Sequence, residues 1–175
     1  MVNKLIKEIN FALDNDLYFV ALNTALTLPD ICGKAEYPNI SDSTPGKRYK
    51  KWYQEYIGQY EKPNDNVYND GMPYLDDNTV YQLRCSLLHQ GNPNVGKEKT
   101  GIDKFILTIE SKNEFGVYTD ASSMSLDVIP YKTYTVSVRR LCFILCQCAS
   151  KYYEENKQKF NFFNYKIIDY DKYKR

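Results

Sequence analysis

Apolar positions recur at helical spacing in the first part of the chain. Between residues 3 and 13 they return every three or four positions, and the polar residues 14–16 then interrupt them. A second apolar segment covers residues 17–28 and stops at Pro29. Because proline disrupts a helix that it follows, we expect two helices that end before it. Residues 30–43 are rich in Pro, Gly, Asn and Ser, which predicts a loop.

Two more amphipathic segments follow this loop. Residues 47–60 carry one apolar face at helical spacing, which predicts a helix whose aromatic side chains enter the core. That face consists of Tyr49, Trp52, Tyr53, Tyr56, Ile57 and Tyr60. Residues 79–90 form a further predicted helix, which Asp77 or Asn78 can cap and which Gly91 ends.

The period of the apolar positions then changes from 3.6 to 2. The segments KFILTIE, GVYTD and SLDVI have the alternation of short strands, and we expect the first two to form a hairpin across SKNE. Residues 134–159 carry the longest helical stripe. The pattern predicts a mainly α fold, a bundle of about five helices with a small β-hairpin insertion at about 103–130 before the last long helix. We expect a single domain over residues 1–175.

Composition and charge narrow the choice of function. The formal net charge is +1, so no overall basic field favours nucleic acid and any contact with RNA has to be local. Five cysteines, an odd number without paired zinc-site spacing, favour reduced thiols over disulfides or zinc. The N-terminus lacks a signal peptide, and no apolar run has the length of a membrane span. We therefore expect a cytoplasmic protein without a membrane segment, metal or cofactor.

The segment YQLRCSLLHQGNP, residues 81–93, contains the one histidine of the chain and an arginine among leucines. On a helical wheel with about 100° per residue, Arg84 falls inside the apolar face that includes Val80 and Leu83. An unpaired guanidinium there is costly. Arg84 must therefore meet an anionic ligand, a partner subunit or a carboxylate, for which Asp30 in the segment LPDICG is a candidate.

His89 lies about 140° from Arg84 on the same wheel, so in an unbroken helix the two side chains point apart. Gly91 and Pro93 follow at once, which predicts that the helix frays or ends at His89. The long arginine side chain can then reach forward to the imidazole.

The segment LRCSLLHQG resembles the signature of the HEPN superfamily, small α-helical bundles of bacterial defence and toxin systems. The family motif is an arginine, four to six residues and a histidine, which corresponds here to Arg84 and His89. The segments LPDICG and LRCSLLHQG together are also similar to a group of uncharacterised bacterial and phage proteins. These matches cover about fifteen of the 175 residues.

The resemblance implies a HEPN-like bundle and a metal-independent endoribonuclease of a phage-defence or toxin type. It further implies a homodimer in which two copies of the motif face each other across the interface. Arg84 and His89 would be the catalytic residues. A neutral histidine can take the proton from a ribose 2′-OH, and an arginine can stabilise the charge that develops on the phosphate as a 2′,3′-cyclic phosphate forms. The partners implied are RNA, including tRNA, and an antitoxin.

The chain departs from the family at the residue after the motif arginine. In active members this residue is often Asn, Asp or His, and here it is Cys85, whose thiol is a weak hydrogen-bonding group. Ser86 is the neighbour that can supply a hydroxyl instead. Two alternatives therefore stay open: a catalytically inactive HEPN-like module that binds nucleotide or RNA, and a structural homodimerisation protein in which Arg84 only forms an ion pair.

Two pairs of basic residues are further candidates for contact with the RNA backbone. Arg139 and Arg140 lie early in the last predicted helix, and Lys47 and Arg48 begin the aromatic one. Either pair can equally belong to a solvated helix face.

Overall fold

The computed structural model describes residues 1–41, 44, 46–63, 72–109, 119–126 and 129–163, and within residues 119–130 it describes the backbone alone. The described chain is mainly helical and carries a small sheet before its last long helix. The predicted mainly α class and the position of the β insertion are therefore confirmed.

The first two predicted helices are present. Helix α1 covers Val2–Asp14 and buries Ile9, Ala12 and Leu13. Helix α2 covers Tyr18–Ala25 and is shorter than the predicted segment.

The main departure from the sequence prediction follows Pro29. Residues 30–36 were expected in a loop, but α3 covers Leu28–Glu36. Pro29 lies in the first turn, where an amide hydrogen has no helical partner to lose. Asp30 shares that turn and interacts favourably with the helix dipole. Cys32 and Ala35 are buried, so packing holds the helix in place.

The aromatic helix contains a local change of helical period. Helix α4 (Lys47–Tyr53) continues into a π-helical turn (Gln54–Gly58) and then α5 (Gln59–Glu61). A π-helical turn adds a residue to the repeat and so rotates the next residues about the helix axis. Tyr60, which was expected on the buried face, is consequently 79% exposed.

Helix α6 (Asp77–Gln90) carries the HEPN-like motif. Its cap is Asp76, one residue before the predicted candidates, and the Asp76 carboxylate accepts a hydrogen bond from the Thr79 amide at 2.6 Å. Gly91, with φ +68°, ends the helix as predicted. A short helix that the sequence did not predict, α7, covers Lys97–Thr100.

The sheet consists of β1 (Lys104–Thr108), β2 (Thr119–Leu126) and β3 (Ile129–Ser137) in the order β1-β3-β2. Strand β3 pairs antiparallel with β2 and parallel with β1. The prediction that the first two strands form a hairpin is therefore wrong, because alternation defines a strand but not its partner. The segment SKNE, assigned to that hairpin's turn, lies outside the described residues.

Helix α8 (Val138–Glu155) begins directly after β3, four residues later than predicted, and is followed by a 3₁₀ turn (Lys157–Phe160). The Ser137 hydroxyl accepts a hydrogen bond from the Arg140 amide at 3.3 Å and caps the helix. The buried face of α8 recurs at helical spacing, as the stripe predicts, and includes Leu141, Leu145 and Ala149.

Helices and sheet share one hydrophobic core. Trp52 stacks on Tyr56 with ring centroids 5.0 Å apart and meets the edge of Tyr152 at 5.7 Å. Strand β3 contributes the buried side chains of Tyr134 and Val136 to the same cluster. Within the described part of the chain, every helix is too short or too polar to cross a membrane.

Candidate functional site

Arg84 and Asp30 form an ion pair between α6 and α3. Arg84 Nη2 lies 2.9 Å from Asp30 Oδ2, and Arg84 Nε donates to the same oxygen at 3.1 Å. Their side chains are 23% and 37% exposed. Val80, Leu83 and Leu87 supply the buried apolar face of α6. The helical wheel placed Arg84 inside this face, but the structure places it at the edge of the face. From there Arg84 reaches Asp30, the carboxylate suggested from the sequence.

The pair is electrostatically asymmetric. Burial raises the pKa of Asp30, and the Arg84 guanidinium opposes this rise without cancelling it. Burial acts to lower the pKa of Arg84, but Asp30 and Cys85 outweigh it and raise this pKa above the ordinary value. The guanidinium is thus firmly charged, while its carboxylate partner carries a burial cost.

His89 lies within reach of the same guanidinium. Arg84 Nη1 is 3.4 Å from His89 Nε2, although five residues separate them along α6. The helix was expected to fray or end at His89, but it continues through Gln90. The convergence instead depends on the length of the arginine side chain. An Nη1–H···Nε2 contact requires the neutral tautomer with its proton on Nδ1.

The two residues that follow Arg84 have different surroundings. Cys85 is half-buried beside Tyr81. Burial is the main cause that raises the pKa of Tyr81, and the hydrogen bond with Cys85 is the second. Cys85 thus interacts with Arg84 and Tyr81, inside the fold. Ser86 is half-buried and lies about 200° from Arg84 around α6, on the opposite side of the helix from the guanidinium.

Tyr49 on α4 lies beneath the ion pair. Its side chain is fully buried, and among the described residues its hydroxyl has no hydrogen-bond partner. Burial raises the pKa of Tyr49, and the neighbouring Asp30 acts in the same direction. The sequence assigned Tyr49 to the core but gave no signal that its hydroxyl lies near the Arg84 site.

The structure places Arg139 and Arg140 in contacts within the chain. Arg139 Nη2 donates to the Leu13 carbonyl at 3.0 Å and to the Tyr18 hydroxyl at 3.2 Å. Arg140 Nη2 lies 2.8 Å from both carboxylate oxygens of Glu61. Both guanidinium groups thus stabilise the packing of α8 against neighbouring elements.

Lys47 and Arg48 have different environments. Lys47 is exposed at the start of α4. Arg48 donates through Nε to the Ile40 carbonyl at 2.7 Å and lines a cavity of about 260 Å³, which Asp30 and Tyr49 also border. Lys34 lines it too, although it was not singled out from the sequence. Asp30 and Lys34 are four residues apart and share a face of α3. The predicted loop at residues 30–43 hid this relation between the two residues.

The arrangement brings an imidazole and a fixed guanidinium to one helix end. Asp30 holds Nε and Nη2 of Arg84, so Nη1 is the nitrogen directed toward His89. His89 is exposed and therefore accessible to a ligand. A neutral imidazole next to a cation suits proton transfer beside a developing phosphate charge.

Comparisons of the chain with protein-family models, curated proteins and solved structures find no match. The resemblance to the HEPN superfamily therefore rests on the motif residues alone.

Proposed function

We propose that this chain is a metal-independent endoribonuclease of the HEPN type, with Arg84 and His89 as its catalytic pair. The observation that carries the proposal is the 3.4 Å approach of Arg84 Nη1 to His89 Nε2. Five residues apart on a helix, two side chains normally point in different directions. Their convergence is what a shared anionic substrate would require.

In the proposed reaction, His89 Nε2 turns from Arg84 and takes the proton of a ribose 2′-OH. The 2′-oxygen then bonds to the adjacent phosphorus, and the bond from phosphorus to the 5′-oxygen breaks. The leaving 5′-oxygen takes a proton from water, and the protonated His89 returns its proton to the solvent. The products are a 2′,3′-cyclic phosphate end and a 5′-hydroxyl end. Arg84 stabilises the negative charge on the phosphate oxygens through Nη1.

We further propose that the active form is a homodimer in which two such pairs line one cleft. Leu88, directly before His89, is 39% exposed. In the proposed dimer, the second subunit would cover this side chain. Mixing inactive Arg84→Ala and His89→Ala subunits tests this arrangement, since a shared cleft would regain one intact arginine and one intact histidine.

Cleavage of total RNA and tRNA in excess EDTA tests the proposed activity. We expect 2′,3′-cyclic phosphate ends, and we expect His89→Ala to lower the rate about 10²- to 10⁴-fold. Arg84→Lys keeps a charge opposite Asp30 and should lower the rate about 10²-fold. Gln90→Ala, one residue further along the same helix, is the matched control and should cleave at the wild-type rate.

A second candidate is a HEPN-like module that binds RNA or nucleotide without cleaving it. Cys85 favours it, because this position lacks the polar side chain of active family members and its thiol lies beside Tyr81. Binding of RNA without any cleavage, in wild type and variants alike, would support this candidate over the ribonuclease. The structural homodimer predicts neither binding nor cleavage.

The proposed activity implies a setting. An RNase that needs no cofactor must be restrained until required, so we propose a toxin or phage-defence role in the cytoplasm with an antitoxin as partner. Co-expression with the products of adjacent genes would identify the antitoxin as the one that relieves growth arrest.

A further inference from the structure

Two adjoining cavities lie on the side of the molecule where α3 meets α4. The first, about 260 Å³, is bordered by Asp30, Lys34 and Arg48. The second, about 430 Å³, is bordered by Lys34, Arg48 and Phe162. Lys34 and Arg48 line both cavities, which are therefore neighbours, and we call the two together the α3–α4 groove. Each is near the size of an ordinary ligand pocket.

The α3–α4 groove shares Asp30 with the proposed catalytic pair. Asp30 borders its first cavity and also holds Arg84 by two contacts to Oδ2. One end of the groove therefore lies next to the ion pair that positions Arg84.

The groove is lined by cations that differ in how they are held. Lys159 lies 2.5 Å from Glu36 in an ion pair, and Arg48 donates to the Ile40 carbonyl. Lys34 is exposed and, among the described residues, has no carboxylate within ion-pair distance. Since the net charge of the whole chain is only +1, this group of cations is a local feature of the kind that an RNA contact needs.

The far end of the groove offers an aromatic ring. Phe162 borders the second cavity, and the Lys34 ammonium lies 5.4 Å from its ring centroid. Proteins that bind single-stranded nucleic acid combine a basic groove with aromatic rings on which unpaired bases stack. The Lys34 ammonium lies over this ring, so a base that stacks there would displace it, and the ammonium could then contact the phosphate of the same nucleotide.

We propose that the α3–α4 groove binds single-stranded RNA and leads it to Arg84 and His89. Lys34 and Arg48 contact consecutive phosphates, and Phe162 stacks on an unpaired base. This inference rests on the proposed ribonuclease function and specifies its substrate as an unpaired strand. A duplex does not fit, because its bases are already stacked and have no free face for Phe162.

Fluorescence anisotropy with a short labelled single-stranded RNA tests the groove directly. His89→Ala protein serves as the parent, so that the RNA stays intact. We expect Lys34→Gln to weaken binding severalfold and to reduce the slope of log K against log salt concentration by about 0.7, the value for one lost phosphate contact. Phe162→Leu should weaken binding about tenfold and leave the slope unchanged.

Lys7→Gln is the matched control, since Lys7 is exposed on α1, and it should bind RNA like the parent. Phe162 is half-buried and packs on Phe163, so Lys34→Glu, at an exposed position, provides a second variant that does not disturb packing. It should bind more weakly than Lys34→Gln. Equal binding of parent, Lys34→Glu and Phe162→Leu would overturn the proposal.

Two further arms separate this proposal from others. If AMP displaces the RNA as effectively as a competing strand, the groove is a mononucleotide pocket and the strand proposal is wrong. If Lys34 and Phe162 are needed for RNA binding but the wild-type protein never cleaves RNA, the groove proposal stands and the ribonuclease proposal is wrong. If the wild-type protein cleaves RNA and Lys34→Glu leaves the KM unchanged, the ribonuclease proposal stands and the groove proposal is wrong.

Discussion

At the scale of single residues, the Arg84 guanidinium is shared between a carboxylate and an imidazole. Asp30 takes Nε and Nη2, and His89 faces Nη1. The carboxylate therefore fixes the side chain, and one nitrogen is left for chemistry at the helix end. This division explains how a residue can be structural and catalytic in the proposed enzyme.

The Asp30–Arg84 pair should be measurable as a coupling energy. We expect Asp30→Asn and Arg84→Met to be non-additive by about 1 kcal/mol in the free energy of unfolding, because partial exposure weakens the pair. Urea denaturation of the two single variants and the double variant provides the cycle. Effects that add to within about 0.3 kcal/mol would mean that the pair contributes nothing to stability.

Two buried tyrosines of α4 differ in their hydroxyl partners. Tyr53 donates to the Leu75 carbonyl at 3.0 Å, whereas the Tyr49 hydroxyl has no partner in the part of the chain that the structure describes. Tyr53→Phe should therefore lower the free energy of unfolding by about 1 kcal/mol. Tyr49→Phe should leave it unchanged or raise it by up to about 1 kcal/mol, since it removes an unpaired buried group. Thermal and urea unfolding check both, and a loss at Tyr49 equal to that at Tyr53 would contradict this.

Some features of the site were predictable from single residues and others were not. An arginine among leucines demands a counter-charge, and Asp30 of the segment LPDICG was a candidate for it. The approach of His89 could not be derived, because helical geometry separates it from Arg84 by about 140° and only the arginine rotamer closes the distance. The unpaired Tyr49 hydroxyl leaves no trace in a pattern of apolar positions.

At the scale of elements, the sequence predicted the positions of most helices well and the pairing of the strands poorly. Helices α1, α6 and α8 follow from period and caps. Helix α3 was missed because Pro29 is equally compatible with a helix end and a first turn, and the burial that decides between them comes from distant residues. The partner of β1 was missed for a similar reason, since strand pairing depends on contacts far apart in sequence.

The packing of α3 on α4 depends on Gly33. A Cβ at Gly33 would lie 2.7 Å from the Arg48 carbonyl oxygen and 3.0 Å from its carbon, which are backbone atoms that cannot rotate away. The clash costs about 1–3 kcal/mol and outweighs the helix propensity gained, about 1 kcal/mol. Gly33→Ala should therefore destabilise the protein in urea titrations.

Gly96→Ala is the control for this substitution. A Cβ there meets nothing within 4 Å, and φ is −66°, so the change in unfolding free energy should stay within about 0.5 kcal/mol. Equal stabilities of the two variants would show that α3 and α4 separate at no cost. Because α3 carries Asp30, Gly33→Ala should also lower the proposed cleavage rate.

Glu36 at the end of α3 ties this helix to the C-terminal elements. Tyr152 donates to Glu36 Oε2 at 2.6 Å, and Lys159 at 2.5 Å. Burial opposes its charge, but these contacts lower the pKa of Glu36 below its ordinary value of 4.5. Its stabilisation is therefore present above pH 4.5 and is lost as the pH falls through the lowered pKa.

Glu36→Gln should consequently reduce the unfolding free energy by about 1 kcal/mol at neutral pH, and the difference from wild type should close in acid. Urea titrations from pH 7 down to pH 3 measure it. In a Lys159→Met background the difference should be smaller throughout. A difference that is independent of pH would show that the contacts contribute through packing alone.

At the scale of the whole molecule, the sheet and the helices share a core instead of forming separate units. Val136 of β3 is fully buried in the same hydrophobic cluster as Trp52 of α4. The alternating pattern of the sequence located β1, but the predicted strand SLDVI spans the end of β2 and the start of β3, and residues 134–137 of β3 were assigned to the last helix. Nor could the pattern show that the sheet belongs to this core. A shared core predicts that the chain unfolds as one cooperative domain.

The one tryptophan of the chain makes this testable. Because Trp52 is fully buried among helices, its fluorescence reports the helical core, and far-UV circular dichroism reports all elements. Val136→Ala creates a cavity beside the sheet. It should lower the unfolding free energy by about 2 kcal/mol and shift the midpoints of both signals equally. Tyr131→Thr, at an exposed position of the same strand, should shift neither by much. If Val136→Ala moved the circular dichroism transition while the Trp52 transition stayed in place, the sheet would unfold independently, and the predicted single domain over residues 1–175 would be wrong.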